Sequence, residues 1–132
     1  MTEATLEHLN VTVSDPHATA QWLSDLFDWK IRWSGDAKGD GFSIHVGGAH
    51  SYVALYRAEG DQTRAPVGAD GTSYRASGGL NHIAVTVDDL DGTEGRVREL
   101  GFQPRAHGDY EPGRRFYFYD WDGIEWEMVS YT

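Results

Sequence analysis

Two stretches of the chain carry nearly the same hydrophobic and polar pattern. LEHLNVTVSD at 6–15 and LNHIAVTVDD at 80–89 agree at six of ten positions with a constant offset of 74, which is self-similarity at half-chain scale. Each alternates apolar and polar residues and is rich in β-branched side chains, the pattern of a half-buried strand. The period then changes. Asp15-Pro16 predicts an N-cap and first helical residue, after which Ala20, Leu23, Leu26 and Phe27 fall on one face. In the second copy Asp89 is the cap, Leu90, Val97 and Leu100 form the stripe, and Gly101 ends the helix.

Three further strand patterns follow each helix. They cover 29–34, 41–47 and 52–57 in the first copy and 102–107, 114–120 and 124–130 in the second, where Asp122-Gly123 joins the last pair. Each half is therefore βαβββ and the expected class is α+β. One domain, 1–132, is expected to contain module 1 at about 5–57 and module 2 at about 80–131. Between them, 58–79 lacks periodicity and is rich in Gly, Ser and Asp, the composition of a long linker or lid.

Composition narrows the function classes. A chain of 132 residues buries roughly two thirds of the surface its unfolded form exposes, so no partner is needed to build a core. With 21 acidic against 11 basic residues, a net charge of -10 and no basic cluster, nucleic acid and anionic membrane surfaces are not expected partners. The absence of cysteine excludes disulfides, thiolate zinc sites and cysteine nucleophiles. No apolar run approaches the roughly 20 residues of a membrane span, and no basic-apolar leader precedes Leu6; a cytoplasmic location is the expectation.

The candidate chemistry lies in the strands. His8 and His82 both stand third in the matched blocks, and Glu127 lies in the last strand pattern, within FYFYDWDGIEWE at 116–127. Alternation after the Asp-Gly turn puts Glu125 and Glu127 on one face and Trp126 and Met128 on the other. Two imidazoles and a carboxylate on three strands can form a facial set for a divalent metal, whose charge would offset the cost of burying Glu127. The competing reading is a pair of hydrogen-bonded strand histidines lining a metal-free cavity.

The sequence resembles the vicinal oxygen chelate superfamily, which includes glyoxalase I, bleomycin-resistance proteins, fosfomycin-resistance transferases and extradiol ring-cleavage dioxygenases. The resemblance covers nearly the whole chain. It rests on LEHLNVTVSD, WLSDLFDWK, GLNHIAVTVDDLD, RELGF and YFYDWDGIEWE. It implies two tandem βαβββ modules forming a cupped mixed sheet around a divalent cation, with His8, His82 and Glu127 at the metal positions. In the glyoxalase and epimerase branches a fourth ligand comes from the fourth strand of the first module; here SYVALYR places Val53 and Ala54 nearest that position and offers none. Three protein ligands leave positions for water and substrate, a set that favours iron(II) or manganese(II), with zinc or nickel as the other metals.

Within that resemblance Tyr117, ten residues before Glu127, stands where the extradiol and fosfomycin branches carry a substrate-contacting tyrosine. His107, in HGDYEPGRRFY, lies close to the extradiol signature but one residue too far, and Trp121 replaces that signature's proline. No histidine matching the extradiol acid-base residue precedes His82, and the lysine and the arginine beyond the glutamate that hold a phosphonate are missing. The expected protein is a metal-dependent enzyme on a small oxygenated substrate, extradiol-dioxygenase-like, with Tyr117 and His107 as catalytic candidates. A lyase, isomerase or thiol transferase, or a metal-free drug-binding protein, is the alternative. Open sheet edges and the habit of single-domain relatives predict a homodimer. Asn10 and His45 are further candidates for the cup, Arg114 and Arg115 for a substrate carboxylate, while Trp22, Trp29 and Trp33 fit helix–sheet packing.

Overall fold

In a computed structural model the structure describes residues 2–64 and 73–132. The chain divides into two compact units, Met1–Thr63 and Arg64–Thr132. The first contains β1 (His8–Thr12), α1 (Pro16–Phe27), β2 (Lys30–Ala37), β3 (Gly41–Gly47) and β4 (Tyr52–Arg57). The second contains β5 (His82–Thr86), α2 (Leu90–Glu99), β6 (Arg105–Tyr110), β7 (Gly113–Tyr119) and β8 (Glu125–Ser130). Both are βαβββ, as the repeat predicts. The strands form two four-stranded mixed sheets, ordered β1-β4-β3-β2 and β5-β8-β7-β6, with the first strand of each parallel to the last and the other pairs antiparallel. Among the described residues no helix is long and apolar enough to cross a membrane.

Helix starts follow the caps. The Asp15 carboxylate accepts the Ala18 N–H at 3.1 Å and Asp89 accepts the Gly92 N–H at 3.0 Å, answering orphan donors of the first turn. In the first unit Ala20, Leu23 and Leu26 of α1 share the core with Ile44, Val46, Val53 and Leu55. In the second, Leu90 and Val97 of α2 join Phe116, Phe118, Trp126 and Met128. Each such side chain contributes about 1.5–3 kcal/mol by leaving water.

Three expectations change. The strand predicted at 102–107 begins only at Arg105: Gly101 turns with φ 94°, Phe102 folds back onto Phe118 and Trp121 at 5.5 and 5.4 Å, and Pro104 lacks a ladder donor. Trp33 does not pack under a helix; it is 48% exposed and lies against His45 at 5.0 Å, whereas Trp22 is buried. The loop reading of 58–79 falls partly, at 65–72, outside the described residues, and Ser73–Arg75 beyond it is a short 3-10 turn.

The turn that delivers β8 is built on one carboxylate. Asp120 Oδ1 accepts the N–H groups of Asp122 and Ile124 at 2.9 and 3.1 Å, and Oδ2 accepts the Trp126 indole N–H at 3.1 Å. Burial nonetheless raises its pKa above the ordinary 3.8, outweighing these donors. The folded state then binds more protons than the unfolded chain above that value, so this group's contribution to stability falls as pH rises from 3.8 through the folded midpoint. Asp120→Ala is expected to cost about 1–3 kcal/mol, and the cost is expected to be larger near pH 4 than at neutral pH. Urea unfolding at both pH values checks this; a cost that grows with pH contradicts it.

Candidate functional site

Register in the second sheet brings the site residues together. β5 and β8 pair in parallel with His82 beside Glu125 and Ala84 beside Glu127, and β7 places Tyr119 opposite Glu125 and Tyr117 opposite Glu127. Because alternate residues share a face, Glu125 and Glu127 lie opposite the Trp126 and Met128 side of the strand. The expected alternation therefore holds, but the carboxylate face is not a solvated one: Glu125 and Glu127 are only 6% and 5% exposed.

Each buried carboxylate has its own partners. Glu125 accepts the Tyr74 hydroxyl on Oε1 at 2.7 Å and the Arg105 guanidinium on Oε2 at 2.7 Å. Glu127 accepts Arg115 on Oε2 at 2.9 Å and presents Oε1 to His82 Nε2 at 3.0 Å. The other ring nitrogen of His82, Nδ1, lies 3.0 Å from the Tyr74 oxygen. Arg115 stacks over Tyr110 at 4.9 Å, and its Nε and Nη2 are buried with no hydrogen-bond partner among the described residues.

Tyr117 stands beside this group, its ring edge-on to His82 at 5.5 Å. Burial pushes its phenol pKa up, and the charge of Glu127 adds to the shift. His107 is placed elsewhere. Ala106 adopts a left-handed φ of 54° and the β6–β7 register shifts between Arg105 and Gly108, a bulge that reverses side-chain alternation. Arg105 consequently reaches Glu125, while His107 stacks on core residue Phe116 at 5.9 Å and contacts Glu94 of α2 at 3.0 Å. Of the two catalytic candidates, Tyr117 lies beside His82 and Glu127, while His107 lies against α2. Arg114 is held by Asp91 at 2.9 Å, and Arg115 by Glu127.

The matching face of the first unit is aromatic. His8 stacks on Tyr52 at 4.8 Å, Tyr52 on His45 at 4.6 Å, and Arg32 lies over Tyr52 at 4.6 Å. His8 Nδ1 contacts Glu7 at 2.9 Å. Burial lowers the pKa of His45, and the neighbouring His8 and Arg32 add to the shift. By register Tyr52 and Ala54 occupy the places that Glu125 and Glu127 hold in the second sheet, so β4 supplies no carboxylate there. Asn10 is exposed on β1.

Tyr74 and Arg105 were not legible as site residues. Tyr74 lies in a stretch without periodicity, and the bulge hides which way Arg105 points. Arg115 was nearer to hand, since it shares a strand face with Tyr117 two residues on.

Among the described residues no three His, Asp or Glu side chains gather as a metal-holding group. The donor chemistry of the His82–Glu127 pair nevertheless fits a divalent ion, because an imidazole nitrogen and a carboxylate oxygen face each other while their remaining polar atoms are engaged. Two repeated βαβββ units, the second with buried carboxylates facing an imidazole, define the chain as a small α+β protein of tandem modules. The chain belongs to the glyoxalase/bleomycin resistance protein/dioxygenase superfamily, whose family model matches residues 5–128.

Solved structures agree with the fold. A glyoxylase/bleomycin resistance protein/dioxygenase domain from Frankia sp. EAN1pec is similar with a TM-score of 0.77 and 21% identity over 98% of both chains. The fosfomycin resistance protein FosX from Mesorhizobium loti has a TM-score of 0.66 and 26% identity over 98% of this chain and 92% of its own. FosX from Listeria monocytogenes, complexed with Mn(II) and sulfate, has a TM-score of 0.69 and 21% identity over 99% of this chain and 95% of its own. None of the curated proteins matches the sequence.

Removing one member of a buried ion pair strands the other charge, and the stranded charge dominates the loss. Arg115→Leu is therefore expected to lower the melting temperature, and adding Glu127→Leu to recover part of the loss. Lys30→Ala, which breaks an exposed pair with Asp28, is expected to change nothing measurable. Thermal melts of the four proteins check this; a double variant no more stable than Arg115→Leu contradicts it.

Proposed function

We propose that this protein is a divalent-metal-dependent enzyme acting on a small substrate that chelates through neighbouring oxygens. The observation that carries the reading is the facing of His82 Nε2 and Glu127 Oε1 at 3.0 Å, with His82 Nδ1 engaged by Tyr74 and Glu127 Oε2 by Arg115. His8, whose Nδ1 is likewise engaged by a carboxylate, is the proposed third donor. Manganese(II) or iron(II) is the proposed metal, and the Mn(II) complex of the Listeria FosX supports manganese. When bound, the ion supplies Lewis-acid polarisation of the substrate oxygens.

The chain's own groups divide the remaining work. Tyr117 keeps its proton to higher pH than an ordinary phenol, so it serves as a hydrogen-bond donor to a developing oxyanion rather than as a base. Arg115 holds Glu127 in one orientation, and its two buried donors without an acceptor mark a place for a substrate oxygen or a water. Catechols, the extradiol-like substrates, are the first class to test. A second reading, a metal-dependent lyase, isomerase or thiol transferase, is favoured by His107: its turn toward α2 removes a histidine candidate for proton delivery in ring cleavage. A glutamate-to-glutamine mutant of the Listeria FosX was solved with Mn(II) and 1S,2S-dihydroxypropylphosphonic acid.

Anaerobic titration is expected to give about one Mn(II) per chain, with His8→Ala, His82→Ala and Glu127→Ala each weakening binding at least about 10-fold. Unchanged affinity in all three variants would sink the proposal. With the metal-loaded protein, Tyr117→Phe is expected to leave catechol binding in place and to slow oxygen uptake; an unresponsive catechol panel moves the reaction to lyase, isomerase or transferase chemistry.

Each sheet leaves two edge strands, β1 and β2 in the first, β5 and β6 in the second, whose free backbone groups favour pairing of two chains. A homodimer is the proposed state. Sedimentation equilibrium at micromolar concentration is expected to give twice the chain mass, and a monomer throughout contradicts it.

A further inference from the structure

Tyr74 touches two groups with one hydroxyl. Its oxygen lies 2.7 Å from Glu125 Oε1 and 3.0 Å from His82 Nδ1. A phenol has a single proton to give. The carboxylate is the stronger acceptor, and its other oxygen is held by Arg105 at 2.7 Å. The Tyr74 proton therefore lies toward Glu125, and the phenol's pKa is raised, first by burial and then by that hydrogen bond. What remains for His82 is a lone pair.

His82 Nδ1 must then be the donor. We propose that Tyr74 is a positioning residue that holds His82 in its Nδ1–H form and so leaves the Nε2 lone pair directed at Glu127 Oε1. The relay starts at Arg105, which donates to Glu125; Glu125 accepts the Tyr74 hydroxyl, and the Tyr74 oxygen in turn accepts the His82 Nδ1–H. Glu125 cannot do this alone. Its Oε1 lies 3.7 Å from His82 Nδ1, beyond hydrogen-bond range, and the Tyr74 oxygen spans that gap.

The consequence falls on the other side of the ring. A lone pair and a carboxylate oxygen 3.0 Å apart repel unless a proton or a cation lies between them. The relay from Arg105 thus prepares His82 and Glu127 as a pair that accepts a positive species. Only this last step rests on the metal reading above; the donation from His82 Nδ1 to the Tyr74 oxygen is a property of the metal-free protein.

The test uses the full chain, labelled with ¹⁵N and free of metal. Long-range ¹H–¹⁵N spectra at pH about 9, where an ordinary imidazole is neutral, are expected to show His82 with a protonated Nδ1 and a bare Nε2. Tyr74→Phe keeps the ring and removes the oxygen. Since Tyr74 is 53% exposed, the variant is expected to fold and to move the His82 proton to Nε2, where Glu127 accepts it. A wild-type His82 protonated on Nε2, or a pattern unchanged in Tyr74→Phe, overturns the proposal. Mn(II) titration of the same two proteins separates it from the metal reading: Tyr74→Phe is expected to weaken Mn(II) about 10-fold or more. Wild-type protein that shows the Nδ1–H form but binds no Mn(II) refutes the metal reading and leaves the role of Tyr74 standing.

Discussion

A carboxylate taken out of water must be answered by donors or by positive charge, and β8 carries two of them side by side. Glu125 and Glu127 are both nearly sequestered, and the second unit is arranged around that fact. Arg105 on β6 and Arg115 on β7 each reach one of them, Tyr74 reaches across from its 3-10 turn, and His82 on β5 stands between the two. Unanswered, either charge would cost several kcal/mol. Answered, they fix side chains drawn from every strand of one sheet.

The two carboxylates differ in what remains to them. Both oxygens of Glu125 accept hydrogen bonds from Tyr74 and Arg105, whereas Glu127 keeps one oxygen on an imidazole nitrogen. Glu125 is therefore held on both oxygens by the fold, and Glu127 is the carboxylate that the proposed function uses. The equivalent face of the first unit took another course: Tyr52 and Ala54 stand at the corresponding register, and stacked rings replace the charged network. The two matched repeats thus present one charged and one aromatic face.

Much of the fold was legible because the repeat, the Asp caps and the Asp-Gly turn are local signals, each read within a few residues. Both helices start at their predicted caps, and all eight strands form. The start of β6 was not legible, because Phe102 obeys the tertiary pull of Phe118 and Trp121 rather than its own strand propensity. Among the site candidates, His82 stood out through the repeat, Glu127 through strand alternation, and Tyr117 only through the family resemblance. The directions of Arg105 and His107 were not legible, since the bulge at Ala106 swaps their faces and alternation alone cannot foresee it. Tyr74 was invisible, for its role depends on where a non-periodic segment comes to rest.

The central claim is that the pair His82 Nε2 and Glu127 Oε1, now 3.0 Å apart, is a cation-accepting pair and not a finished hydrogen bond. Crystals grown with Mn(II) and measured by anomalous diffraction test it most directly. The account predicts an anomalous peak bonded to both of those atoms, with Arg115 still on Glu127 Oε2. Manganese bound elsewhere, with the direct contact between His82 and Glu127 intact, would contradict it.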